Sequence, residues 1–175
     1  MTRIPYRILP LAALALPFPA HATVYMTVEQ AQAQMFPHQA LTQSFRDLTP
    51  DQVSAIRKAS GESPLSKKLK AWRAADGGWF IVDEVVGKHE FITYAVSLDA
   101  AGVVRDVEIL DYREAYGGEV RDPRWRRQFI GKRPGQSLKL GADIKNISGA
   151  TLSSKHVTDG VRRLLATYAT VLAHG

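Results

Sequence analysis

Glu90-Phe91-Ile92-Thr93-Tyr94-Ala95-Val96-Ser97-Leu98, Asp99-Ala100-Ala101-Gly102 and Val103-Val104-Arg105-Asp106-Val107-Glu108-Ile109-Leu110-Asp111-Tyr112 read as one β-hairpin. The two arms are rich in β-branched and aromatic residues, and the Asp-Ala-Ala-Gly between them carries turn chemistry. Upstream, Trp79-Phe80-Ile81-Val82-Asp83-Glu84-Val85-Val86 has the composition of a further strand. Residues 61–78, ending in Asp76-Gly77-Gly78, read as a connection. Residues 23–60 read as helical. Val28 to Met35 has helical spacing, and Leu48-Thr49-Pro50-Asp51-Gln52 is a start signal with Thr49 as N-cap, Pro50 at the first helical position and Gly61 as the stop.

A second helix pattern closes the chain. From Lys155 to about Ala173, Val157, Val161, Leu164, Leu165, Tyr168, Val171 and Leu172 form one apolar stripe. Asp159, Arg162, Arg163, Thr167 and Thr170 are expected on the opposite, solvated face, with Ser153 or Ser154 as N-cap. The expected fold is therefore α+β: an antiparallel sheet with packed helices and a closing amphipathic C-terminal helix. The expected division is 1–22 leader, 23–78 helical N-terminal part and connection, and 79–175 the functional domain.

Immediately before that helix stands Ser148-Gly149-Ala150-Thr151-Leu152-Ser153-Ser154. A helix N-terminus has unpaired N–H groups and a partial positive charge, so it favours a phosphate. Gly149 and Ala150 let a ligand approach the backbone, and Thr151, Ser153 and Ser154 offer hydroxyls. The plain alternative is a serine-capped terminal helix. Tyr116-Gly117-Gly118 follows the last strand, where glycines signal either an ordinary turn or close approach to a flat ligand. Trp125 and Phe129 read as core residues.

The string Ser-Gly-Ala-Thr-Leu-Ser-Ser at 148–154 resembles the signature of the FMN-binding domain family, which includes the FMN-carrying subunits of sodium-translocating quinone reductases and Rnf-type complexes. Tyr112-Arg113-Glu114-Ala115-Tyr116-Gly117-Gly118-Glu119-Val120 and Gln128-Phe129-Ile130-Gly131-Lys132 extend the resemblance over roughly residues 79 to 172. The resemblance implies FMN esterified through its phosphate to Thr151 by a flavin transferase. It also places Glu114, Tyr116, Gly117 and Gly118 beside the isoalloxazine ring, and implies redox partner proteins or a membrane electron-transport complex. The sequence departs from the family at one point. The transferase's usual target has an aspartate six residues before the threonine, where this chain has Lys145; the nearest aspartate is Asp143. Three alternatives follow: Asp143 serves from a rearranged loop, this subgroup is read differently, or FMN binds without a covalent bond.

Composition narrows the chemistry. Cysteine is missing from the sequence, so thiolate-bound iron–sulfur clusters, Cys-x-x-Cys-His haem attachment and thiol redox couples are excluded; an electron-transfer role needs an organic cofactor. His38, His89, His156 and His174 lie at no metal-ligand spacing, and no metal site is expected. His156, one turn past the motif, reads as a solvent-facing or capping residue. Arg3 and Arg7, the apolar run Ile8 to Phe18 and Ala20-His21-Ala22 read as a secretory signal cleaved before Thr23, which implies a periplasmic protein. That run is short for a bilayer span of about 20 residues and is interrupted by Pro10 and Pro17.

The whole chain carries 23 Lys and Arg against 17 Asp and Glu, and losing the leader leaves it mildly basic. The charges are scattered, which gives no nucleic-acid signature; the densest run, Lys67, Lys68 and Lys70, reads as a solvated face. The expected function is an exported electron carrier. A flavin-dependent reductase of a small molecule and a non-redox or non-covalent FMN-binding module are the alternatives.

Overall fold

The structure is a computed structural model that describes residues 23–174. The leader reading of residues 1–22 lies outside the described residues. Seven strands form an antiparallel sheet: β1 (Thr23–Val24), β2 (Leu41–Gln43), β3 (Arg46–Asp47), β4 (Lys68–Ala74), β5 (Trp79–Val86), β6 (Phe91–Leu98) and β7 (Val104–Tyr112). The spatial order is β1-β7-β6-β5-β4-β2, and β3 pairs with β4. Four α-helices accompany them: α1 (Val28–Met35), α2 (Pro50–Ser60), α3 (Pro123–Arg126) and α4 (Thr151–Thr167). Among the described residues no helix is long and apolar enough to cross a membrane.

The expected hairpin is the centre of the sheet. β6 and β7 pair along their length, and Asp99 Oδ1 accepts from the amides of Ala101 and Val103 to fix the turn. Gly102 takes φ +78° there, and a Cβ on it would collide with the Tyr168 ring. Alternation sorts the side chains onto two faces. Trp79, Ile81, Val85, Ile92, Tyr94, Val96, Val107 and Ile109 join one core cluster with Ile56 of α2 and the apolar stripe of α4, while Phe80, Val82, Ala95 and Leu110 pack under α1. Each large apolar side chain buried in this way contributes ~1.5–3 kcal/mol.

One irregularity bears on the site. Thr93 pairs with Asp111 but Tyr94 pairs with Ile109, so Leu110 is an extra residue in β7. Such a bulge shifts the alternation by one. Ile109 and Tyr112 consequently lie on the same face, and Tyr112 joins the core cluster beneath α4.

Several expectations need correction. Residues 61–78 are not a connection: Lys68–Ala74 is β4, hairpinned to β5. Lys68 and Lys70 do face solvent, but they alternate with buried Leu69 and Ala71, a period-2 pattern that the dense positive charge masked. Residues 23–60 are not wholly helical either. β2 and β3 are short, polar edge strands that owe their state to pairing with β4 rather than to their own composition. The two helices of that part do start where expected. Thr27 with Gln30 and Thr49 with Gln52 form complete capping boxes, and α2 stops at Gly61 with φ +81°.

The closing helix is present but differs in detail. It begins at Thr151, four residues earlier than Lys155, and runs into a π-helical turn at Tyr168–Leu172. Neither Ser153 nor Ser154 is its N-cap: Ala150 holds that position and both serines are buried in the first turn. Nor do Arg163 and Thr167 face solvent. Arg163 is 4% exposed, donating from Nη2 to Asp83 Oδ2 and to the Glu84 carbonyl, each at 2.7 Å. The helix is buried on more of its circumference than its stripe implies because α2 covers its outer flank. Gly160 lets it settle onto the sheet; a Cβ there would stand 2.5 Å from the Tyr94 hydroxyl and 2.7 Å from Val85 Cγ1.

Candidate functional site

Two loops meet at the start of α4. After β7 the chain passes Tyr116, takes a left-handed turn at Gly117 (φ +89°) and enters a 3-10 turn at Gly118–Arg121. The second loop, from Asp143 to Ala150, reverses at Gly149 (φ +84°) before α4 begins. A Cβ on Gly149 would meet nothing within 4 Å, so glycine answers the backbone angle there rather than a lack of room. At Gly117 both reasons apply, because a Cβ would stand 2.7 Å from Ser153 Oγ and from the Tyr112 hydroxyl.

Between these loops lies an open cleft of about 240 Å³ lined by Lys88, Tyr116, Gly117, Gly149, Ala150, Thr151, Leu152 and Ser153. Its two apolar walls are unusually bare: Tyr116 is 87% exposed and Leu152 47%. Its floor is the start of α4. No side chain among the described residues caps this helix. The amides of Thr151, Leu152 and Ser153 precede the first intrahelical bond, from Ser154 N to the Ala150 carbonyl, and have no acceptor within the helix. The helix dipole places a partial positive charge at the same point. Thr151 is exposed there, and its Oγ1 accepts from Asn146 Nδ2 at 3.0 Å.

Not all of the sequence candidates line this cleft. Tyr116, Gly117, Gly149, Ala150, Thr151, Leu152 and Ser153 do; Ser148, Ser154, Glu114 and Gly118 do not. Ser148 is exposed on the approach to the turn. Ser154 is fully buried, and its Oγ has no hydrogen-bond partner. Gly118 opens the 3-10 turn, its carbonyl accepting from Arg121 Nε. Glu114 turns toward the β5–β6 turn, where its Oε1 accepts from the amides of His89 at 2.5 Å and Glu90 at 3.0 Å. Burial alone would raise its carboxyl, but the backbone donors of Glu90, His89 and Lys88 outweigh this and hold it below the ordinary range.

Ser153 is buried beneath the cleft, with its Oγ 2.9 Å from the Tyr112 hydroxyl. That hydroxyl also bonds the carbonyl of Tyr116 and so ties the glycine turn to the helix. Sequence reasoning did not assign Tyr112 or Lys88 to the site. Tyr112 reached it through the β7 bulge and Lys88 through a hairpin turn distant in sequence from α4. Trp125 and Phe129 are core residues, stacked edge-on at 5.2 Å, with Trp125 Nε1 donating to the Lys145 carbonyl. His156 lines a different cleft, with Glu62, Val86 and Asp159.

The donor set suits a phosphorylated aromatic ligand. Free amides and hydroxyls are grouped with a lysine, and two exposed apolar side chains flank them. Comparison with known proteins points the same way. Residues 87–166 match the model of the FMN-binding domain, a span running from the Lys88 turn through most of α4. A search of curated proteins gave no match. Among solved structures, the fold is similar to that of a subunit of the Na(+)-translocating NADH-quinone reductase from Parabacteroides distasonis ATCC 8503. The TM-score is 0.54, with 18% identity over 84% of this chain and 85% of that one. At that identity the likeness is one of fold, and the resemblance to the FMN-binding domain family rests on the domain match at residues 87–166.

Proposed function

We propose that this chain is an exported electron carrier whose FMN is held through a phosphoester to Thr151. The observation that carries the reading is the placement of Thr151 Oγ1. It is an exposed hydroxyl on the first residue of an uncapped helix, inside the cleft formed with the Tyr116–Gly117 turn. The bound group would supply the redox chemistry, and the chain's own residues would hold and orient it. A phosphodiester at Thr151 keeps one negative charge. The amides and dipole at the start of α4 would stabilise it by roughly 0.3–2 kcal/mol. Tyr116 and Leu152 offer apolar surface to a flat ring, and the Tyr112–Ser153 bond keeps the two loops at a fixed separation. Similarity to a component of a quinone reductase supports a role in electron transfer with redox partners, and the leader-like N-terminus supports a periplasmic location.

One observation favours a second reading, in which FMN is bound without the ester. Lys145 stands where a flavin transferase's usual target has aspartate, and Asp143 is already engaged in its own loop. Its Oδ2 accepts from Ser137 Oγ at 2.7 Å and from the Lys139 amide at 2.8 Å.

One experiment separates the two. The full chain is produced with a flavin transferase, denatured, and examined by intact mass and in-gel fluorescence. A fluorescent band heavier by FMN less water, and lost in Thr151→Ala, supports the ester. A dark band from a protein that still binds FMN reversibly supports the second reading. A chain that binds no flavin in either form overturns both.

A further inference from the structure

The turn Gly87-Lys88-His89-Glu90 joins β5 to β6 and brings Lys88 to the cleft opposite the start of α4. Its backbone is held from two sides. Gly87 N donates to the Glu90 carbonyl at 2.7 Å, and Glu114 accepts from the turn's amides. A side chain on Gly87 would collide with the Glu114 carboxylate. Glu114 therefore reaches the cleft only through the turn it clamps. None of the ion pairs among the described residues includes Lys88.

A lysine without a partner is ordinary on a surface; this one shares a cleft with the positive end of a helix dipole. Two positive features facing one space repel each other, weakly in water, until an anion sits between them and gains from both. The exposed Tyr116 and Leu152 beside them suit an aromatic body attached to that anion. Resting on the FMN reading above, we propose that Lys88 is the cation that selects the phosphorylated flavin by pairing with its phosphate at the N-terminus of α4. Glu114 is the positioning residue that presents Lys88 and makes no contact with the ligand itself.

The test uses the full chain from a host without a flavin transferase, so that Thr151 keeps its free hydroxyl. FMN and riboflavin, which differ by the phosphate, are titrated separately by flavin fluorescence. The parent is expected to prefer FMN. Lys88→Gln should lower the FMN-to-riboflavin affinity ratio by about two- to fivefold, the scale of one charge pair at an exposed site, and leave riboflavin binding unmoved. Lys88→Arg should retain the preference. Glu114→Ala, with its fold checked by circular dichroism, should lower the ratio several-fold with riboflavin again unaffected. A Lys88→Gln chain with the parental ratio, an equal loss on both flavins, or a parent without preference overturns the assignment and leaves the FMN reading standing. A parent that binds neither flavin overturns the Lys88 assignment, while the ester reading stands or falls on the intact-mass test above.

Discussion

The Tyr112 hydroxyl lies 2.9 Å from Ser153 Oγ, so the last residue of β7 is bonded to the first turn of α4 directly beneath the candidate flavin cleft. Tyr112→Phe keeps the ring buried but leaves Ser153 Oγ and the Tyr116 carbonyl without that partner. An orphaned buried polar group costs ~1–3 kcal/mol, whereas removing the serine hydroxyl as well relieves part of the cost. Urea denaturation should show Tyr112→Phe as the more damaging single change, and the Tyr112→Phe/Ser153→Ala pair as less than additive. Strict additivity would mean that the two hydroxyls are not coupled.

Gly160 sets a conflict between local propensity and packing. Alanine in a helix interior is favoured over glycine by ~1 kcal/mol. At this position the added methyl meets the Tyr94 hydroxyl and Val85, both in the core beneath the helix. Overpacking of this kind costs ~1–3 kcal/mol, so Gly160→Ala should lower the thermal midpoint despite the better helix former. A raised midpoint would show that the contact relaxes freely.

Arg163 is buried against Asp83, while the Asp83 side chain remains 20% exposed. Removing one partner of a buried pair is expensive because the other charge stays behind. Arg163→Met should therefore cost about 3 kcal/mol, the low end for buried pairs, since water still reaches Asp83. Adding Asp83→Leu should recover much of that loss. Equal instability of the single and double variants would place the effect in the lost bond to the Glu84 carbonyl or in the buried Tyr94 hydroxyl, which loses Asp83 as its acceptor.

Asp106 is half-buried at the start of β7, and burial pushes its carboxyl above the ordinary 3.8, although the Val107 amide bonds it. With the folded value above the unfolded one, the neutral acid is favoured in the folded state. Its stabilising contribution is complete below the unfolded value and is lost as pH rises through the folded one. Asp106→Asn, always neutral and still able to accept from Val107, should therefore gain on the parent as pH rises from about 3 toward 7. Urea midpoints measured across that range should diverge upward; a constant difference would mean that the carboxyl titrates alike in both states.

The central hairpin was legible because Phe91–Leu98 and Val104–Tyr112 carry both the right composition and turn chemistry between them. The Thr49 cap, Pro50 at the first helical position and the Gly61 stop of α2 were legible for the same reason, since each signal acts within one turn of the helix; the Thr27 cap and the two complete capping boxes came from the structure. The Ser148–Ser154 motif located one side of the cleft, since a helix start is also a local property.

Other features depended on distant partners. β2 and β3 exist because β4 offers them an edge, and Arg163 turned inward because Asp83 waits on β5. Glu114 clamps the β5–β6 turn because the sheet brings His89 and Glu90 beside it. The sequence by itself determined the antiparallel hairpin, the capped start and glycine stop of α2 and a helix start near Ser148–Ser154, all set by bonding among near neighbours, whereas the uncapped start of α4 at Thr151 came from the structure. Only the tertiary structure decided that Lys88, Tyr116 and Thr151 share one cleft. Chain segments far apart in sequence meet only where burying their apolar faces and satisfying their polar groups fixes how strands and helices pack.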